Sequence, residues 1–321
     1  MRRLNILTWH THGNYLYYLT QAPHEFYVLS KPDRPPGYAG VSGHLPFGAN
    51  VHDLPAAEAR RQPIDLILFQ DDGQYLDDQH DLLTPAQRAL PKIYLEHDPP
   101  RDHPVDTRHI VRRPDVLVVH CTHFNRLMWD NGPAPTRVIE HGVVQPAVQW
   151  SGELERGLVV VNNLEKRGRR LGADLYRELR KRLPLDLVGM GAEEAGGLGE
   201  VRHDNLAAFA AQYRFFFNPI RYTSLGLAVI EAMMIGMPVV ALATTEMATV
   251  IRDGENGIAD TDVDRLAAGM KRLLADPLEA RRLGEAGQRT ALARFNIKRF
   301  AADWNRAFND MMRFRHERFV A

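Results

Sequence analysis

Short apolar runs recur along this chain at intervals long enough to hold a crossover, and that spacing constrains the fold more than any other feature. Residues 4–7, 64–69, 93–95 and 116–119 read as buried strands of a first series. A second series alternates fully: strand 158–161, helix 171–182, strand 185–188, helix 205–212, strand 215–217, helix 226–235 and strand 238–242. Strands separated by helices form parallel sheets covered on both faces. Residues 264–275, 278–294 and 297–315 then read as helices with no strand between them. The expected fold class is α/β, with two doubly wound domains, since 321 residues suffice for two cores. An extended, Pro-marked stretch after Gly142 suits a linker, which divides the chain into 1–148, 149–296 and a closing helix, 297–321. Ligands of such sheets bind outside the carboxyl ends of the strands, so the two domains are expected to face a common cleft.

Charge narrows the partners. Lys plus Arg is 40 and Asp plus Glu is 40, which removes the basic footprint of a dedicated nucleic-acid binder. Cys121 is the single cysteine and has no internal disulfide partner. The start, Met-Arg-Arg-Leu-Asn-Ile, carries too little apolar sequence for a signal peptide, and no run approaches the roughly 18 apolar residues of a membrane span. A cytoplasmic protein is expected, one that at most contacts the inner membrane surface. Twelve of the 14 histidines precede residue 142, so the two halves are expected to do different work.

The sharpest chemical signal lies in 218–240. From Leu227 to Ile235 every residue is apolar except Glu231, so the helix should be buried around a lone carboxylate. A buried carboxylate costs several kcal/mol unless it is paired. No basic residue lies within one helical turn of Glu231. Its partner is therefore either a distant Arg in the core or a pair of ligand hydroxyls, as a ribose diol supplies. Thr223, Ser224, Leu225 and Gly226 form a small-residue turn at the helix N-terminus, where unbonded N–H groups and the dipole favour a diphosphate.

With these residues the segment resembles the motif of retaining GT-B glycosyltransferases of family 4, the glycosyl transferases group 1. That motif is typically Glu-Gly-Phe-Gly, then a helix with a second Glu, then Ala-Met, a Gly and Pro-Val-Val. The resemblance implies two Rossmann-like domains facing an interdomain cleft. It also implies an acceptor-binding first domain, a second domain that binds the nucleotide sugar, and a last helix that crosses back to the first. It assigns the ribose to Glu231 and the diphosphate and sugar to Ser224, Leu225 and Gly226. Thr223 stands where the family carries its first Glu. Lys166 or Arg167 takes the place of the lysine that neutralises the donor diphosphate, and Asn163 stands near the place of an earlier arginine. Gly13 maps to the Gly-rich loop after the first strand. His97 maps to the position where many members place a histidine that contacts the transferred sugar or the reacting bond, and Asp98 beside it is the second catalytic candidate.

The implied activity is metal-independent transfer, with retention, from a UDP- or GDP-linked sugar to a glycan, lipid-linked or protein acceptor, with no cofactor. Asp71 and Asp72 open an acidic run where a strand ends, and they are either a hydrated loop or an acceptor site. Gly189-Met190-Gly191 lacks the third glycine of a dinucleotide fingerprint and is expected to shape a loop. His10 with His12, and His120 with His123, lack a second cluster at zinc spacing. A non-catalytic nucleotide-sugar binder on the same fold and a nucleotide-sugar epimerase remain as alternatives.

Overall fold

The computed structural model describes residues 2–42 and 45–320, with side chains as far as Arg313 in the last helix. The chain forms two compact units. One runs to Gly142 and resumes at Ile297, and the other is Val143–Asn296. The Pro-marked stretch that follows Gly142 thus begins the second unit.

The N-terminal unit holds β1 (Asn5–Thr8), β2 (Glu25–Ser30), β3 (Val51–Pro55), β4 (Leu66–Phe69), β5 (Lys92–Glu96), β6 (Thr107–Arg108), β7 (Val116–His120), β8 (Trp129–Asp130) and β9 (Thr136–Val138). Seven of them make one sheet in the order β3-β2-β1-β4-β5-β7-β9, while β6 and β8 pair separately. All pairings in the large sheet are parallel. The apolar runs of the sequence became its middle: β4, Leu-Ile-Leu-Phe, is buried at every residue. β2, β3 and β9 were not among the expected strands, although β2 carries the apolar run 26–29. They lie toward the sheet's edges, where polar residues such as Glu25, His52, Asp53 and Arg137 are tolerated in strand positions.

The second unit contains β10 (Leu154–Val160), β11 (Leu185–Val188), β12 (Tyr213–Asn218), β13 (Val239–Leu242) and β14 (Ile258–Asp260), ordered β11-β10-β12-β13-β14 and parallel throughout. Strand order reverses between β1 and β4 in one sheet and between β10 and β12 in the other. Those reversals open crevices at the carboxyl ends of the strands.

Helices complete both units: α1 (Gly13–Leu19), α2 (Gln79–Leu82), α3 (Pro85–Arg88), α4 (His123–Met128), α5 (Leu164–Arg167), α6 (Ala173–Leu179), α7 (His203–Ala210), α8 (Leu227–Met234), α9 (Met247–Val250), α10 (Val263–Ala275), α11 (Pro277–Arg294) and α12 (Ile297–Val320). Asp262 and Asp276 start α10 and α11 by accepting two backbone N–H groups each. As expected, the last helix returns to the first unit. Phe300, Trp304 and Phe308 of α12 are fully buried, with Phe300 edge-on to Tyr15 and Phe308 edge-on to His24 and Phe26. Arg299 fastens it further by donating to the carbonyls of Glu140 and His141.

Candidate functional site

In the second unit the strand reversal is bordered by the loop after β10 and the loop after β12. β10 runs through Val161 into Asn162 and Asn163, and Asn163 adopts the left-handed conformation (φ 51°) that Asn tolerates better than most residues. Its N–H donates to Met190 O at 2.6 Å, and Asn162 Oδ1 accepts the Met190 N–H at 3.0 Å. Gly189-Met190-Gly191 is therefore a turn held against the two asparagines.

The run 165–182 has eight basic and three acidic residues, and packing sorts them. Asp174 receives Arg169 at 2.7 Å and both Nη atoms of Arg221, at 2.6 and 2.8 Å. Arg177 pairs with Glu165, and Arg182 with Asp264. Lys166 and Arg167 project from α5 and are exposed. Arg170 differs from both. Its carbonyl accepts the N–H groups of Arg221 (3.0 Å) and Tyr222 (3.3 Å), which ties it to the loop after β12. Its Nη1 is buried and has no hydrogen-bond partner among the described residues. An unpaired buried guanidinium N–H calls for an acceptor, best an anionic one. Close packing keeps the two loops in register: Gly172 has φ +87°, and a Cβ there would lie 2.2 Å from Pro219 O.

That loop ends in the turn singled out by the sequence. Ser224 and Leu225 are buried, and Thr223 is partly buried. From the β13 side, Thr244 Oγ1 donates to Ile220 O at 3.2 Å and Thr245 Oγ1 to Ser224 O at 3.4 Å. Gly226 is the N-cap of α8, so no side chain caps that end, and its first turn holds no acidic residue. A Cβ built on Gly226 would meet nothing within 4 Å. The first turn of α8 is thus left without a side-chain cap, the arrangement that suits an anion. The helix is buried except along a strip of Leu227, Ala228 and Glu231, which share a face by their spacing. The Glu231 side chain is 12% exposed, and its Oε1 stands 4.0 Å from His203 Nδ1 of α7. A histidine from another helix thus lies beside the carboxylate.

The N-terminal unit has its own constellation where its strand order reverses. Gly13 opens α1, and a Cβ there would come within 2.9 Å of His10 Nε2. His97 follows β5, packs edge-on to His12 (4.3 Å between centroids) and Tyr15 (4.9 Å), and meets Gln70 Oε1 at 3.1 Å through Nε2. Burial, then the neighbouring His12 and His141, hold its pKa well below the usual histidine value. Asn125 and Trp129 fix the adjoining backbone by donating to the carbonyls of His97 (3.1 Å) and Asp98 (2.9 Å). The Asp98 carboxylate is paired with Arg101. Glu96 lies beneath this loop, beside His109 at 3.3 Å, and burial raises its pKa.

Asp71 and Asp72 both serve the local fold. Asp71 Oδ1 accepts the Gly73 N–H at 2.9 Å, and Asp72 Oδ1 accepts the Tyr94 hydroxyl at 2.7 Å. A cavity of about 800 Å³ lies instead at the carboxyl ends of β2 and β3, with Lys31, Arg34, Arg60, Asp33 and Asp81 among its lining. The paired histidines do not pair in space: His10 bonds Gly40 O at 2.6 Å while His12 lies on His97, and His120 is buried on Asn131 while His123 is exposed. Among the described residues no three His, Cys, Asp or Glu side chains converge as a metal site, and no helix is long and apolar enough to cross a membrane. Arg170, His203 and Gln70 were the residues that sequence reasoning missed. Arg170 was hidden in a uniform basic run, and the other two carried no local signal.

Comparison with known proteins bears on the second unit. The family described as glycosyl transferases group 1 matches residues 159–276, the stretch that holds both loops, α8 and Glu231. Residues 159–276 are thus similar to a glycosyl transferases group 1 domain. Over 102 residues the chain is 37% identical to an MMP alpha-(1->4)-mannosyltransferase of Mycolicibacterium hassiacum, covering 31% of this chain and 25% of that one. Over 142 aligned positions it is 32% identical to a GDP-mannose-dependent alpha-(1-6)-phosphatidylinositol monomannoside mannosyltransferase of Mycolicibacterium smegmatis, covering 36% and 37%. The matched stretches thus span well under half of either curated relative. Across the whole fold, the sucrose-phosphate synthase of Thermosynechococcus elongatus superposes with a TM-score of 0.69 at 19% identity, covering 97% of this chain and 99% of that chain. The second unit and the N-terminal unit are accordingly the two Rossmann-like domains of a GT-B fold.

Proposed function

We propose that this chain is a retaining glycosyltransferase that moves a sugar from a nucleoside diphosphate sugar to an acceptor without a metal ion. One observation carries the reading: Arg170, whose Nη1 is buried and unpartnered among the described residues, is tied through its carbonyl to the loop that leads into the uncapped N-terminus of α8, with Glu231 a turn further along that helix. This set suits a diphosphate followed by a ribose diol. Glu231 takes the ribose hydroxyls, and the amides at Ser224, Leu225 and Gly226 together with Arg170 take the diphosphate. Charge builds on that diphosphate as the glycosidic bond breaks, and preorganised donors stabilise it there. The leaving phosphate then accepts the proton of the acceptor hydroxyl, so no protein nucleophile is required.

Lys166 and Arg167, exposed on α5, serve as outer countercharges. His97 acts on the transferred sugar, and the N-terminal unit holds the acceptor, for which the 800 Å³ cavity with Asp33 and Asp81 is the roomier candidate beside Asp71 and Asp72. Both curated relatives are named as mannosyltransferases and one as GDP-mannose-dependent, so GDP-mannose is the first donor to test.

Thr223, in place of the family's first Glu, favours a second reading in which the chain binds nucleotide sugar without transferring it. One experiment separates them. The protein is incubated with UDP- and GDP-sugars, alone and with candidate acceptors, while nucleoside diphosphate release and the anomeric configuration of any product are followed by NMR. Acceptor-dependent release with an unchanged anomer supports transfer. Stabilisation by the donor without release supports the binder, an epimerised donor indicates an epimerase, and no interaction with any nucleotide overturns the proposal.

A further inference from the structure

We propose that Gln70 is a positioning residue that fixes the proton of His97 on Nε2, so that His97 can offer a ligand only the Nδ1 lone pair. The inference rests on the direction of each hydrogen bond around a buried amide. Gln70 Nε2 lies 2.9 Å from Trp9 O and 3.0 Å from Thr8 Oγ1. A backbone carbonyl only accepts, so the atom facing it must be the amide nitrogen. Thr8 confirms the orientation, because its hydroxyl donates to Leu68 O at 3.0 Å and so must accept from Gln70. The amide oxygen is left facing His97 Nε2 at 3.1 Å. An oxygen there requires a donor, hence Nε2–H.

The opposite ring nitrogen has a weaker neighbour. Cys121 Sγ lies 3.9 Å from His97 Nδ1. Burial raises the thiol's pKa, so it remains an S–H, a poor donor. A ligand hydroxyl is a better donor than this thiol, so Nδ1 is the ring atom at which a hydroxyl gains most. Gln70 itself is held in place by its backbone N–H, which donates to Gln74 Oε1 at 2.8 Å. The hub joins β1, β4 and β5 where the strand order reverses, and it acts through His97 rather than on a ligand.

The tautomer can be read without any activity. In protein labelled with 15N at histidine, long-range 1H–15N correlation of His97, assigned by its loss in His97→Phe, should show a neutral ring with the proton on Nε2. A proton on Nδ1 in the wild-type protein overturns the proposal outright. In Gln70→Leu the resonance should move toward the Nδ1–H form or an exchange average, and an unchanged Nε2–H signature would likewise overturn it.

The functional consequence rests on the glycosyl-transfer reading. If transfer is observed, Gln70→Leu should lower turnover about 10- to 100-fold, the loss of one or two hydrogen bonds, while nucleoside diphosphate affinity stays the same. Gln70→Asn should not restore the rate, since its shorter amide cannot reach both partners. A Gln70→Leu protein with altered tautomer and full turnover would withdraw the catalytic consequence. Absence of transfer in the wild-type protein would sink the function while leaving the tautomer result to stand or fall by itself.

Discussion

Glu231 Oε1 and His203 Nδ1 stand 4.0 Å apart, at the outer range of an ion pair, although 28 positions separate them in the chain. That distance leaves the carboxylate room to turn toward a ligand diol. Glu231→Ala should therefore lower nucleoside diphosphate affinity at least about 10-fold, about 1.4 kcal/mol, with only a small fall in melting temperature. Glu231→Gln should keep part of the affinity. Titration calorimetry beside a melting curve checks both, and a large loss of stability with intact binding would make Glu231 a structural partner of His203.

Arg170 and the pair Lys166 and Arg167 make separable predictions. Arg170→Ala should weaken binding of nucleoside diphosphate strongly and of nucleoside little, because its buried Nη1 is assigned to the phosphates. Lys166→Ala and Arg167→Ala should each cost less than about 1 kcal/mol of diphosphate affinity, as exposed charges screened by water do. Equal losses for nucleoside and diphosphate in Arg170→Ala would remove the assignment.

Gly226→Ala tests the open N-terminus of α8. The position has φ −67° and a Cβ there meets no atom within 4 Å, so the fold should lose no more than about 1 kcal/mol. The added methyl projects toward the anion site and should impair diphosphate binding. Unaltered affinity would show that the diphosphate sits elsewhere.

His97→Ala should lower turnover while leaving nucleoside diphosphate affinity nearly unchanged, since that ligand lacks the sugar. Asp98→Asn breaks the pairing with Arg101 and tests whether a carboxylate helps the acceptor. Parallel falls in rate and nucleotide affinity for His97→Ala would withdraw the assignment.

Acid should destabilise the protein through its buried histidines. Burial pushes His120 down to about 4, against its hydrogen bond to Asn131, and His97 shifts in the same direction. Both are neutral in folded and unfolded chains above about pH 6.5. Below that the unfolded chain binds the extra proton, so stability falls with pH until the folded His120 titrates near pH 4. For His120 the loss is roughly 3 kcal/mol over that window. Urea denaturation at several pH values should show this slope, and His120→Gln should flatten it. An unchanged slope would mean that other groups set the acid sensitivity.

What the sequence alone determined is what nearest neighbours encode. Continuous apolar runs marked the middle strands of both sheets, because strands covered on both faces admit little else. The apolar stretch around Glu231 and the small residues before it announced α8 and its open end. Tertiary packing decided the rest. β3, β9 and β14 became strands through pairing with neighbouring strands, since their own residues are mixed, whereas the run 26–29 of β2 was a local signal left unread. Within the basic run 165–182 every cation looks alike in sequence, and only the fold gives Arg169 to Asp174 and buries Nη1 of Arg170. His203 beside Glu231 and Gln70 beside His97 are likewise set by folding. Periodicity is a local property, whereas hydrogen-bond direction, desolvation and charge pairing depend on groups brought together from distant segments.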